Sequence, residues 1–441
     1  MNAGSMFLNC IYLLVAIAAL PWVAWRKLSG ARPVAAPWTR FTGRVTPLPR
    51  SAGVARIWLH GVSVGEVQLL ASLAAEIRRQ ADAAGRPVEC VISSSTTTGL
   101  DVAIRRFGAD HAFPCPLDFT WAVNTALDRV RPDVLVLGEL ELWPNLLACT
   151  HARGIPIVVA NARMSERSFA GYGRIRPLVR RMLGLVAVVA ARSRPDADRF
   201  VDLGGRDVIV TGSMKFDGVK GDRGAPDVSR LRQLAGIAAD DVVFLAGSTQ
   251  APEEQLAIDA FRALAPDHPR LVLVLVPRHV ERCAEIAAIL DGSGVRWQAR
   301  SRLDRDGADP QSRVLLVDTT GELGWWWGTA AIAFVGGSLD GRRGGQNMLE
   351  PSAYGAAVCF GPHTRNFADE VRTLLAADAA VVVAGGEDLC SFVRRCLDDP
   401  AWAASLGGRA AATVSSRRGA TAATASLILE RLPGGSSGFR G

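Results

Sequence analysis

No Asp or Glu stands between Arg26 and Arg56, no charge of either sign lies between Met6 and Trp25, and no two cysteines form a C-x-x-C pair. Each gap excludes something. The eight cysteines (Cys10, Cys90, Cys115, Cys149, Cys283, Cys359, Cys390, Cys396) lie mostly in apolar runs and read as small buried hydrophobes of a reducing cytoplasm. The six histidines have no ligand spacing either, so neither a metal nor a cofactor is expected.

The uncharged stretch "MFLNCIYLLVAIAALPWVAW" would span about 30 Å as a helix, the thickness of a bilayer's hydrocarbon core. Positive charge is missing ahead of it, where a cleaved signal peptide carries it. It comes only afterwards, as Arg26, Lys27, Arg32, Arg40, Arg44, Arg50 and Arg56. The expectation is a membrane anchor over residues 1–27, with the remainder on the cytoplasmic side. Pro21 interrupts the segment and leaves a shallower interfacial helix as the alternative to a spanning one. A basic collar beside an apolar segment suits lipid headgroups, so the net charge of +7 is no argument for nucleic acid.

What remains is globular in composition, with 49% hydrophobic and 21% charged residues, and 441 residues suit two domains. Short apolar runs alternate with helical patterns. "ARIWLH", "VECVIS", "DVLVLG", "IPIVVA", "LVAVVA" and "DVIVTG" are followed, after a polar stretch at Asp217–Ser229 that reads as a linker, by "DVVFLAG", "RLVLVLVP", "VLLVD", "AIAFVGG" and "AAVCFG". Continuous apolar strands joined by helices mean parallel sheets covered on both faces. The fold class is therefore α/β, two doubly wound halves facing a cleft, over residues 28–222 and 223–431, with a disordered tail at 432–441.

Polar residues gather where these strands end. "HGVSVGE" ends in Glu66, "GELELWPN" carries Glu139 and Glu141, "NARMSERS" brings Asn161 and Arg163, and "GSMKFD" brings Lys215. A carboxylate such as Glu66 has two readings: it favours the positive end of a helix, or it faces the ligand crevice of an open α/β sheet. In the second half, "AGSTQAPEE" is a strand, a turn and a helix beginning near Pro252, a shape that offers backbone N–H groups to an anion. "VPRH" puts Arg278 at a strand end, and "DTTGEL" does the same for Thr320, Gly321 and Glu322. Gly336, Gly337, Gly344 and Gly345 permit close approach to a bound group, a helix starting near Gln346 can face a phosphate, and Glu350 can take ribose hydroxyls or cap its own helix. In "GWWWG", adjacent tryptophans point in different directions, so packing or surface roles rather than a stacking platform are expected for at least two.

In order, "HGVSVGE", "ELWPN", "NARMSERS", "TGSMKFD", "AGSTQAPEE", "VPRHVER", "DTTGEL", "FVGGSL", "GGQNMLEP" and "GPHTRNF" resemble the bacterial 3-deoxy-D-manno-octulosonic acid (Kdo) transferases of lipid A biosynthesis, from about Trp58 to Phe367. The resemblance implies a GT-B glycosyltransferase with two Rossmann-like domains, inverting and metal-independent, that uses CMP-Kdo as donor. It also implies lipid IV-A as acceptor, at the cytoplasmic face of the inner membrane. Carried onto this sequence, Glu66 falls on the family's proton acceptor, and Glu139 and Lys215 on its transition-state stabilisers. The CMP-binding positions fall on Pro277 and Arg278, on Thr320, Gly321 and Glu322, and on Gln346, Asn347, Met348 and Leu349; Glu350 joins them by proximity and chemistry. The family usually has His where Gln250 and Gln346 stand and Thr where Leu140 stands. Glutamine hydrogen-bonds but carries no proton.

Two other functions compete. One is a membrane-associated GT-B enzyme that uses a UDP-sugar. The other is a non-catalytic binder of lipid A or a nucleotide sugar, which has little use for Glu66, Glu139 and Lys215 together.

Overall fold

The computed structural model describes residues 3–28, 36–46, 48, 50, 51 and 53–433. The chain forms two compact units, Met1–Gly218 with Arg418–Gly441, and Val219–Arg417. Each is built on a seven-stranded parallel sheet.

In the first unit the strands are β1 (Ala55–Gly61), β2 (Val88–Ser94), β3 (Ala112–Pro114), β4 (Val134–Gly138), β5 (Ile157–Ala162), β6 (Val188–Ala191) and β7 (Val208–Val210), in the order β3-β2-β1-β4-β5-β6-β7. Alternation along β1 shows why both faces are covered. Ile57 and Leu59 pack with Val67, Leu70, Leu73 and Ile77, while Trp58 enters the opposite core with Val123 and Leu127.

The second unit holds β8 (Val242–Thr249), β9 (Leu271–Pro277), β10 (Trp297–Ala299), β11 (Val314–Leu316), β12 (Ile332–Val335), β13 (Ala357–Phe360) and β14 (Val381–Val382), in the order β10-β11-β9-β8-β12-β13-β14. Every apolar run named above becomes a strand. The three strands without such a run, β3, β10 and β14, are sheet edges of two or three residues, too short to write a pattern.

Three features differ from the sequence-based reading. The last helix, Ala420–Leu429, returns to the first unit: Gln80 Nε2 donates to Ala422 O at 3.0 Å and Arg431 pairs with Asp207 at 2.8 Å. The stretch Asp217–Ser229 is pinned rather than loose, because Arg223 donates to the carbonyls of Tyr354, Gly328 and Ala330 at 2.6–3.0 Å and Lys220 sits on the face of Trp325. Part of the basic collar is internal. Arg56 is fully buried against Glu89 and Val130 O, and Arg50 grips Asp133, which leaves Arg44 as an exposed member. Trp326 and Trp327 are buried, as expected for packing residues.

The N-terminal helix spans Ala3–Leu28, and among the described residues no helix is long and apolar enough to cross a membrane. Asn9 and Tyr12 turn a polar side toward the first unit, while Met6, Phe7, Leu14, Val15 and Ile17 are exposed. Residues 434–441, the larger part of the expected disordered tail, lie outside the described residues.

Candidate active site

Strand order places β1 beside β4, where the winding of the first sheet reverses, and open α/β sheets bind ligands at the carboxyl end of that reversal. Glu66 follows β1 and Glu139 follows β4, so the two carboxylates flank this point. Glu66 is the third residue of the helix Val64–Ala83 and closes a capping box with Ser63. Its Oε1 accepts from Ser63 Oγ at 2.8 Å and its Oε2 from Val62 N at 3.0 Å. The side chain folds back over the strand ends because these are glycines. A β-carbon on Gly61 would lie 3.1 Å from Glu66 Cβ, and one on Gly138 3.6 Å from Oε2. The helix-capping reading holds, and the same carboxylate stands at the carboxyl end of the sheet at its reversal.

Glu139 has a φ of 54°, a left-handed conformation that costs a non-glycine residue about 1–2 kcal/mol. Burial pushes its carboxyl up, and the charge of Glu66 adds to that. Arg192, Lys215 and Arg163 pull it back down. Four strand ends thus contribute to one charge cluster: Glu66 after β1, Glu139 after β4, Arg163 after β5 and Arg192 after β6. Lys215 lies in the short turn Met214–Phe216, whose first N–H donates to Asn161 Oδ1 at 3.1 Å. Asn161 is itself left-handed, with φ 54°. Asn161→Ala should lose that buried hydrogen bond and force alanine into the left-handed region, for a total of about 2–3 kcal/mol. The thermal midpoint checks the loss, and turnover should fall with it as Lys215 drifts.

The turn Glu139–Trp143 leads into the helix Pro144–Ala152, whose N-terminus is capped from a distance. Asp118 accepts from Asn145 N at 3.0 Å and Leu146 N at 2.7 Å, and Tyr12 of the N-terminal helix donates to the same carboxylate at 3.1 Å. Asn9 joins by hydrogen bonds with Thr120 and Asn145. Burial raises Asp118 to about 6, against the backbone bonds that lower it. A raised carboxyl favours its protonated form in the folded state, so its contribution is full below about pH 4 and is lost as pH rises through about 6. Asp118→Asn should remove that part. The fall in thermal midpoint between pH 5 and pH 7.5 should be smaller in the variant than in the natural chain.

In the second unit the reversal lies between β8 and β12. Pro277 ends β9 opposite Thr249, and Arg278 N donates to Thr249 O at 3.0 Å with its side chain exposed. Beyond β11, Thr320 and Gly321 are exposed, but the Glu322 carboxylate is held by Arg300 in two bonds of 3.0 and 2.8 Å and by Thr319 at 2.7 Å. Burial alone would raise Glu322; Arg300 and Thr319 hold it below the usual range. Its side chain therefore braces the turn. Gln346 and Asn347 precede a helix that begins at Leu349, three residues later than expected, and Met348 and Leu349 are core side chains. Asn347 Nδ2 donates to Glu350 Oε1 at 3.1 Å. Burial raises Glu350, and Asn347, Trp327, Lys220 and Arg278 oppose the rise.

The glycine loop after β12 does not hold its N–H groups open for an anion. Glu253 supplies one from inside the protein: its carboxylate accepts from Gly337 N at 2.6 Å, Ser338 N at 3.0 Å, Leu339 N at 3.2 Å and Gln250 N at 2.9 Å. A β-carbon on Gly336 would meet Glu253 Oε2 at 2.6 Å, and one on Gly344 would meet Arg365 Cγ at 2.7 Å. These two glycines make room for the protein's own side chains.

Residues 37–218 match the family profile described as 3-deoxy-D-manno-octulosonic-acid transferase (kdotransferase). A 3-deoxy-D-manno-octulosonic acid transferase of Bordetella pertussis is 33% identical over 429 residues, which cover 92% of this chain and 95% of that one. The chain belongs to the Kdo transferase family. A second member, from Haemophilus influenzae, is 33% identical over 331 residues, 74% of this chain and 75% of that one. Among solved structures, the UDP-GlcNAc 2-epimerase of Neisseria meningitidis bound to UDP-GlcNAc is similar in fold, with a TM-score of 0.54 at 13% identity over 85% of this chain and 99% of that one. A glycosyltransferase of Rickettsia africae gives 0.53 at 10% identity over 86% and 98%.

Within this Kdo transferase the motif residues Glu66, Glu139 and Lys215 fall in one charge cluster with Arg192, which the motifs did not single out, and neither Asp118 nor Glu253 was singled out. Arg192 had a usable signal, since it directly follows β6. Asp118 had none, because its partners Asn145, Leu146 and Tyr12 lie 27–106 residues away, and for Glu253 only the bond from Gln250 N is local, those from Gly337, Ser338 and Leu339 being 84–86 residues away.

Proposed function

We propose that this glycosyltransferase moves Kdo from CMP-Kdo to lipid IV-A by a single inverting displacement that needs no metal, at the cytoplasmic face of the inner membrane. The observation that carries the reading is the grouping of Glu66, Glu139 and Lys215 at the reversal of the first sheet, in a chain of this family. A sugar hydroxyl is a poor nucleophile. Glu66 takes its proton as it attacks the anomeric carbon of Kdo, a step worth typically about 10²–10⁴-fold. As the bond to CMP breaks, negative charge grows on the departing phosphate, and Lys215 meets it. The field of Lys215, Arg163 and Arg192 on Glu139 supports a role in orienting the cations.

CMP is held by the backbone turns at Pro277–Arg278 and Thr320–Gly321, with Gln346, Asn347 and Glu350 beside them. The exposed arginines Arg167, Arg174, Arg180 and Arg181 suit an acceptor with two phosphates, whereas Arg176 is already paired with Asp202. The exposed apolar side of the N-terminal helix supports membrane association. Donor competition tests the reading. CMP-Kdo should be consumed and UDP-sugars left intact; consumption of a UDP-sugar would contradict it.

A further inference from the structure

β8 ends in an unusual way. Ser248 is left-handed, with φ 55°, and the next two residues each bury a polar atom that has no hydrogen-bond partner, Thr249 Oγ1 and Gln250 Oε1. Their side chains are inside the protein, with residue exposures of 0% and 5%. Buried polar groups are ordinarily paired, and a pair of neighbours left unpaired at the reversal of a sheet marks a place where a ligand supplies the partner.

The main chain here is held hard. Gln250 N and the N–H groups of Gly337, Ser338 and Leu339 all converge on the Glu253 carboxylate, which ties the end of β8 to the end of β12. The side chains are what remain for a ligand. The amide nitrogens of Gln250 and Gln346 lie 3.2 and 3.4 Å from where a β-carbon on Gly337 would stand, so two side-chain amides meet at one point of the second unit.

We infer that Gln250, with Thr249 beside it, is a specificity residue that hydrogen-bonds the hydroxyls of the donor's sugar. The inference rests on the nucleotide-sugar reading above. The chemistry selects the sugar over the phosphate. A carbonyl oxygen only accepts, so a phosphate oxygen gives Gln250 Oε1 nothing, and the amides that would hold an anion are taken by Glu253. The set of an accepting amide oxygen and two amide donors suits a polyol, each of whose hydroxyls both donates and accepts.

Two near-isosteric changes test this on the full chain: Gln250→Met and Thr249→Val. Each deletes a buried unpaired atom, so the thermal midpoint should hold or rise, where a structural role would lower it. KM for CMP-Kdo should rise about tenfold in Gln250→Met, with affinity for free CMP by calorimetry and KM for lipid IV-A within about twofold of the natural chain. Unchanged KM for CMP-Kdo in both variants overturns the inference. So does a parallel loss of CMP affinity, which would put Gln250 on the nucleotide. A natural chain that consumes no CMP-Kdo contradicts the donor reading itself; one that does so while both variants behave like it contradicts only this assignment.

Discussion

Glu66→Gln is expected to fold normally, bind CMP as before and lose about 10²–10⁴-fold in turnover. The separation of these effects follows from the two tasks of one side chain. As a cap, Glu66 accepts from Val62 N, Ser63 N and Ser63 Oγ, and glutamine fills the same place in a capping box. The helix then loses the charge at its positive end, about 0.3–1 kcal/mol, and one backbone bond, from Val62 N or Ser63 N, because an amide has a single accepting oxygen. As a base, the carboxylate must accept a proton from the attacking hydroxyl, and an amide does not. The positions proposed to hold CMP lie in the second unit, so its affinity should be unchanged. Calorimetry with CMP and steady-state turnover on the same preparation make the comparison, and near-normal turnover would remove Glu66 as the base.

Lys215→Ala is expected to lower kcat by about 10²–10³-fold, the usual scale for deleting one group aimed at developing charge. The side chain is placed for this by the Asn161 bond to the turn that carries it, and it acts on Glu139 beside it. Lys215→Arg should recover only part of the rate, because a planar guanidinium does not reproduce a compact ammonium. Single-turnover kinetics separate the alternatives. A slower chemical step supports leaving-group stabilisation, whereas weaker CMP binding with an unchanged chemical step contradicts it.

The sheets were legible because a strand buried on both faces must be written as a continuous apolar run, and the runs at Ile57–Leu59 or Leu273–Leu275 have no other use. Edge strands β3, β10 and β14 carry too few residues for that constraint to show. Glu66 and Glu139 were legible for the same reason, as polar residues that break an apolar run where a sheet ends. The left-handed backbone at Glu139, Asn161 and Ser248 adds that these ends are strained, a property no periodicity records.

What stayed hidden is whatever depends on a distant partner. An apolar helix such as Ala420–Leu429 does not state which unit it covers, and Gly336 reads as room for a ligand until Glu253 is seen in that room. Arg56 counts as surface charge in the sequence, yet Glu89 and Val130 O hold it inside.

The most direct test of the central claim is mass spectrometry of lipid IV-A after incubation with the purified chain and CMP-Kdo in the presence of a chelator. The account predicts a lipid heavier by one or more Kdo units, CMP released in equal number, and both products formed about 10²–10⁴-fold more slowly with Glu66→Gln. Lipid IV-A recovered unchanged, with CMP-Kdo intact or its sugar on a different acceptor, would contradict it.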